Sequence, residues 1–502
     1  MNDFKTTGIK LMDKVSDFVF LAITFVVFVV VLYADFVFMP LGNYATQRLI
    51  LTHSLGVFVV FSFGFLGWRH GWGLYAKLWP AWLISAFLLL NAVVFSNSRF
   101  SAVEPGMYTA FFLGFALLGF LSKSLGRTYY WVVIYCYVAV AMTALYGAVS
   151  IIIYLFSVID GLASLSAGIP WGFTNVRYWS HVATWLIPII PLAVLIGPFR
   201  DNMLWRSLVV FSSASWWWII LLSEARGSFV SVVFGVLLSA ILIGRPAILW
   251  FRVSLFCLVI GILMWLLLSV VIPSLLIGEQ LIPSISSSTS GRIPLFVEAW
   301  SMSLVNFPFG LGPQSWLTHD ILRKEYFQSA KFGHPHNMYL MWAAEYGWLF
   351  ICLLLLFVVQ SIWLFCNRRI EVRDLNKPCE HAYLLAAFTA AVSAGLLHGG
   401  VSAVFMAPGS MLIGIFILGL FHALIIPEIV ASPSSPSKNR FFFTFFVFLV
   451  VSAICIYWLV KIWEYHAAMT KDLDFYRDNI QAETFPRFWS HGNFPRHPDL
   501  MP

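Results

Sequence analysis

Charge is what this sequence has least of. Only 11% of its 502 residues are Asp, Glu, Lys or Arg, whereas 60% are hydrophobic. A water-soluble globular domain carries about a quarter charged residues. A chain this poor in charge cannot face water over its whole surface, which excludes a soluble domain. Strand-like alternation over about ten residues, the mark of a membrane β-barrel, is also missing. The six cysteines form no Cys-x-x-Cys and no Cys/His cluster, so neither a disulfide framework nor a zinc site is expected. Acids and histidines are scarce inside the apolar runs, with Glu345 the clearest exception. Proton-coupled transporters place such groups at mid-membrane, so their scarcity argues against a transporter.

What is present is a series of continuous apolar runs of about span length. In lipid only helices or closed barrels satisfy the backbone, so the runs predict an all-α polytopic membrane protein of about 12–13 transmembrane helices. The spans are expected near 16–39, 49–67, 78–96, 107–122, 129–157, 181–198, 207–223, 227–244, 248–273, 337–366, 382–400, 408–427 and 441–463. The first follows Lys5, Lys10 and Lys14 and has no A-x-A-like cleavage site, so it reads as a retained span. This divides the chain into a transmembrane domain over 1–463, one large loop within it at 274–336, and a tail at 464–502. The tail is rich in Trp, Phe, Pro and His, a composition that assigns it no role.

The net charge of +7 suits positive-inside loops rather than nucleic acid. With a cytoplasmic N-terminus, alternate loops collect Lys123, Arg127, Arg200, Arg206, Arg245, Arg252, Arg368 and Arg369, while the short loops opposite hold only Arg48, Arg99, Arg177 and Arg226. The 274–336 loop and the tail then fall outside. Within the loop, a Ser-rich stretch from Ser284 to Gly291 precedes two expected helices, one near Glu298–Val305 and one near Ser315–Ala330 lying at the membrane surface.

Polar residues gather on that outer side. Arg226 sits in Ser-Glu-Ala-Arg-Gly-Ser, Arg292 in Ser-Gly-Arg, and Arg177 just after Gly-Phe-Thr-Asn. Taken singly, each also reads as an interfacial arginine paired with lipid phosphate. Next comes His334-Pro335-His336-Asn337, where Pro335 ends any preceding helix and Asn337 is placed to cap the next. His70, His181, His398 and His422 lack such a context and read as structural. Guanidinium groups bind phosphate oxygens bidentately and keep their charge. Several of them hold a diphosphate and offset charge as it leaves. A neutral histidine accepts a proton from an attacking hydroxyl. An outer face without ATP requires an already activated donor, and a lipid-diphosphate-linked sugar is one.

Three blocks carry a family resemblance. They are Ser223-Glu224-Ala225-Arg226-Gly227, then Ser290-Gly291-Arg292 through Pro308-Phe309-Gly310-Leu311-Gly312-Pro313, then His336-Asn337 through Leu340, Glu345 and Gly347. With the weaker Gly172-Phe173-Thr174-Asn175 and Arg177, the chain resembles the O-antigen ligase superfamily over roughly 170–420. That superfamily also holds O-antigen polymerases and bacterial protein O-oligosaccharyltransferases. The resemblance implies a GT-C-type glycosyltransferase in the bacterial inner membrane, its active site facing the periplasm, taking glycan from undecaprenyl diphosphate. It implies diphosphate binding by Arg226 and Arg292 and His336 as base. Beside these, Arg177 is expected to join the diphosphate site, and His334, Asn337 and Glu345 are candidate supporting residues. No metal or cofactor is implied. The leading acceptor is lipid A core, with a growing glycan or a protein as alternatives and lipid-linked glycan transport as a more remote one. The thirteenth span departs from the twelve-span ligase pattern.

Overall fold

The computed structural model describes residues 2–33, 36, 44–70, 77–95, 99–160, 169–173, 175–277, 291–374, 379–429, 438–480, 486–489 and 491–496. Thr174, the Ser-rich stretch up to Ser290 and Ser490 lie outside them.

Every described element is helical, as a backbone in lipid requires. The first five helices are α1 (Asn2–Leu32), α2 (Tyr44–His70), α3 (Trp79–Val94), α4 (Val103–Ser124) and α5 (Thr128–Ile159). Next come α6 (Val176–Leu186), α7 (Met203–Leu222), α8 (Arg226–Ile243), α9 (Ile248–Trp265) and α10 (Ile272–Ile277). The remainder are α11 (Arg292–Val305), α12 (Ser315–Thr318), α13 (Lys324–Phe327), α14 (Met338–Asp374), α15 (Glu380–Gly399), α16 (Pro408–Ile425) and α17 (Lys438–Asn479). The α4 and α16 helices form the centre, packed on each other and buried along most of their length. Around them α8 packs on α15, α7 on α9, α1 on α5 and α2 on α17. The outer faces of α9, α14 and α17 present leucines, valines and aromatics such as Leu263, Leu355, Val359 and Phe446. Only a hydrocarbon surround suits them, and the chain is a multi-pass membrane protein.

Eleven described helices are long and apolar enough to cross a membrane, two fewer than the thirteen expected spans. The run at 78–96 gives a helix of only 16 residues, α3. The run at 181–198 is broken: α6 ends at Leu186, and the chain continues through turns into a 3-10 segment at Ile190–Val194. Pro188 and Pro191 explain the break, because neither supplies the amide that an α-helix needs. All six cysteines are free.

The large loop also differs from expectation. Instead of one surface helix near 315–330 there are two single turns, α12 and α13. The buried Glu298 carboxylate of α11 explains this. It accepts the Leu322 amide at 2.8 Å and meets Nε2 of His319 at 2.9 Å, drawing the intervening backbone out of helical form. The loop is then tied to α14 at Gly347, where the helix breaks (φ 83°). The break frees the carbonyls of Ala344 and Glu345, which accept the amides of Leu311 and Gly312 at 2.9 and 2.8 Å. Two backbones cross here with no room for a side chain: a Cβ on Gly347 would lie 2.1 Å from the Pro308 carbonyl oxygen, and one on Gly310 would lie 2.6 Å from the Gly347 nitrogen.

Candidate active site

The His334-Pro335-His336 segment runs from this loop into α14. Asn337 caps the helix, its Oδ1 accepting the Leu340 amide at 3.0 Å. His336, just before the cap, is held in the left-handed region at φ 57°, a conformation that costs a non-glycine residue about 1–3 kcal/mol. Its amide donates to Nδ1 of His334 at 3.1 Å, and the two rings meet edge to face. Both side chains are buried. His334 therefore fixes the backbone of His336.

Arg177 stands in the first turn of α6, whose cap Asn175 accepts the Arg177 amide at 2.9 Å. Its Nη1 donates to Nε2 of His336 at 3.2 Å. A ring nitrogen that accepts carries no proton, so neutral His336 holds its proton on Nδ1. That atom is buried and makes no hydrogen bond among the described residues. Burial, followed by the charges of Arg177 and Arg292, lowers the His336 pKa to about 3. Arg292, at the start of α11, donates through Nη1 to the Val401 carbonyl at 3.1 Å, and its buried Nε has no partner among the described residues. Burial lowers the pKa of both arginines, and Arg177 adds to the effect on Arg292. Among the described residues neither arginine pairs with a carboxylate. Two guanidinium groups thus share one place with their charges uncompensated, which is the electrostatic condition for binding an anion.

Arg226 is placed differently. It is exposed at the mouth of α8, and its Nη2 donates to Glu224 at 3.3 Å. It is linked to the site through the next residue: a Cβ on Gly227 would lie 3.1 Å from Nε2 of His398 and 3.5 Å from Val401, whose carbonyl Arg292 holds. Arg226 therefore sits at the rim and Arg177 in direct contact with His336, the reverse of the weighting that the motifs suggest.

Glu345 does not face His336. Its Oε1 accepts the Trp316 amide at 3.2 Å, and both its oxygens bind Arg487 of the tail. Beneath Arg177 and His336 lie His181, on Ser402 at 2.7 Å, and His398, on Thr184 at 2.8 Å, with their rings 5.2 Å apart. Neither histidine stands in a motif that marks it, so the sequence carries no sign that they adjoin the site. Among the described residues no three His, Cys, Asp or Glu side chains group to hold a metal ion.

The lysines and arginines of the basic loops lie at the opposite helix ends, where Lys123 pairs with Glu428 at 2.7 Å, Arg200 with Glu380, and Arg369 with the Leu242 carbonyl. At the outer end Arg226 and Arg487 also have carboxylate partners, which sets Arg177 and Arg292 apart among the described residues.

Residues 208–355 match a protein-family model described as O-antigen ligase. The match spans under a third of the chain and contains Arg226, Arg292, His334, His336, Asn337 and Glu345, while Arg177 and Arg487 lie outside it. The resemblance to the O-antigen ligase superfamily stands on that segment, and with it a membrane glycosyltransferase-like activity. No curated protein and no solved structure matches the chain.

Proposed function

We propose, on the premise that residues 208–355 form an O-antigen ligase domain, that the protein moves a glycan from undecaprenyl diphosphate to an acceptor hydroxyl on the periplasmic side of the bacterial inner membrane. The acceptor favoured is lipid A core. One observation carries this reading: His336 lies against Arg177, beside Arg292, and among the described residues no carboxylate pairs with either arginine.

On this reading the donor diphosphate binds Arg177 and Arg292, with Arg226 at the rim. Arg177 turns from His336 to a phosphate oxygen, which frees Nε2. The acceptor oxygen attacks the anomeric carbon as its proton passes to Nε2. The bond from that carbon to the diphosphate breaks, and its electron pair leaves with undecaprenyl diphosphate. Attack opposite the leaving group inverts the anomeric configuration. The arginines offset the charge that develops on the departing oxygen.

The test is deletion of the gene followed by gels of lipopolysaccharide and glycoprotein. Core lacking all O-antigen supports the ligase. Core bearing a single repeat identifies a polymerase, and intact lipopolysaccharide with an unglycosylated protein identifies an oligosaccharyltransferase. The orientation is tested separately with a single cysteine at the exposed Gln328 in a cysteine-free background. It should react with a membrane-impermeant thiol reagent in intact spheroplasts. Reaction only after lysis overturns the periplasmic assignment.

A further inference from the structure

Arg487 belongs to the tail, yet it is buried almost as deeply as the two carboxylates it meets. Its side chain is 3% exposed, against 2% and 0% for Glu104 and Glu345. Every guanidinium nitrogen is used. Nε donates to Glu104 Oε1 at 2.8 Å, and Nη2 donates to Glu104 Oε2 at 2.6 Å and to the two Glu345 oxygens at 2.8 and 2.7 Å. Nη1 donates to the Gly333 carbonyl at 3.1 Å. Burial alone would lower the pKa of Arg487, but Glu104 and Glu345 outweigh it and raise it well above the usual value.

The Gly333 carbonyl is the last peptide oxygen before His334-Pro335-His336. Arg487 therefore ties α4, α14 and the root of the histidine segment to one point. The neighbouring residue makes a second tie, because the Tyr178 hydroxyl donates to the Pro486 carbonyl at 3.1 Å, and Tyr178 follows Arg177. The tail is itself anchored. Phe488 meets Tyr108 edge to face, Trp489 is buried against Tyr465, and Asp472 of α17 accepts from Arg496 at 2.6 Å.

We propose that Arg487 is a positioning residue for the transfer reaction: the docked tail segment Pro486–Trp489 holds both Gly333–His336 and the Arg177 turn, so the site is complete only with the tail in place. This rests on the function proposed above. A planar fork bridging two carboxylates and a carbonyl cannot be reproduced by an ammonium group, and a small misplacement of a reacting group costs far more rate than binding.

The experiment uses the full-length protein, purified in detergent, with a lipid-diphosphate-linked glycan donor. Two variants are compared. Arg487→Lys keeps the charge and loses the fork. The set Glu104→Gln, Glu345→Gln, Arg487→Met removes the charges together, leaving no buried carboxylate unpaired. We expect kcat to fall by about tenfold or more in each, with the donor KM within about threefold of wild type. The acid limb of kcat/KM should also move up towards that of free histidine as His336 gains water. The charged and titratable groups facing His336 are Arg177 and His181 on α6, Arg292 on α11, and His334 beside it. None is altered; Arg487 itself acts on His334, and Arg487→Lys keeps that charge, so a moving limb in this variant reports the placement of His336. A merely structural tie would lower the thermal midpoint and leave kcat and the limb unchanged, and that result overturns the proposal. If wild type transfers no glycan, the functional reading fails instead. The tie is then read by mass spectrometry as the rate at which diethyl pyrocarbonate modifies His336. Faster modification in Arg487→Lys supports the tie, and equal rates overturn it.

Discussion

The Nη1 of Arg177 lies 3.2 Å from Nε2 of His336, so the proposed base of this protein rests against a cation. The contact explains two properties together. Together with burial it keeps the imidazole neutral, and among the described residues it leaves a guanidinium with no carboxylate partner before an anionic donor arrives.

The arginines should therefore rank by distance from His336. Arg177→Lys and Arg292→Lys retain charge but lose planar, bidentate contact. In purified protein with lipid-linked donor, each should lower kcat by about a hundredfold. Arg226→Lys, at the exposed rim, should cost less. A milder loss for Arg177→Lys than for Arg226→Lys would place the diphosphate at the mouth of α8 instead.

General-base help contributes about a hundredfold to ten-thousandfold. His336→Ala should lose rate by that order and keep its affinity for donor, since the arginines hold the diphosphate. His334→Ala should also be impaired, because its ring accepts the His336 amide. Wild-type transfer by His336→Ala would remove this residue from the chemistry.

The pH profile follows from the lowered His336 pKa of about 3. A base works only when neutral, that is, above its pKa. The acid limb of kcat/KM, which reports the free enzyme, should therefore lie well below the ordinary histidine value of about 6.5. Bound diphosphate offsets Arg177 and Arg292 and raises the pKa again, so the limb of kcat should lie at higher pH than that of kcat/KM. Coincident limbs near the ordinary value would mean that His336 is neither buried nor close to these arginines.

Positive charge on arginine, rather than a metal ion, is expected to balance the leaving diphosphate. Transfer should survive exhaustive EDTA treatment. Loss that magnesium or manganese restores would show that a cation shares the diphosphate.

Gly347→Ala tests the crossing of loop and helix. The substitution forces alanine into a positive φ and drives its Cβ against the Pro308 carbonyl. It should destabilise the protein by at least about 2 kcal/mol, seen as a lower thermal midpoint in detergent. An unchanged midpoint would mean that the loop is not locked to α14.

Much of this protein was decided by sequence alone, for a physical reason. Lipid leaves a charge-poor chain no choice but helices, so Lys14–Leu32 or Pro408–Ile425 can be read as spans from their apolar content without knowing any neighbour. Local rules sufficed elsewhere too. Pro335 and Asn337 announce a helix start, and Asn337 caps α14 as its type and place predict. The three motif blocks also carried the family resemblance, and all of them lie within residues 208–355. Contacts between distant residues were not legible in the same way. Glu345 stood out as an acid inside a span, which implies a buried partner, but nothing in the sequence pointed across 142 residues to Arg487. Nor did composition show that Arg177 reaches His336 across 159 residues while Arg226 turns to its own neighbour Glu224. Those pairings depend on how α4, α6, α14 and the tail converge, and packing geometry decides that.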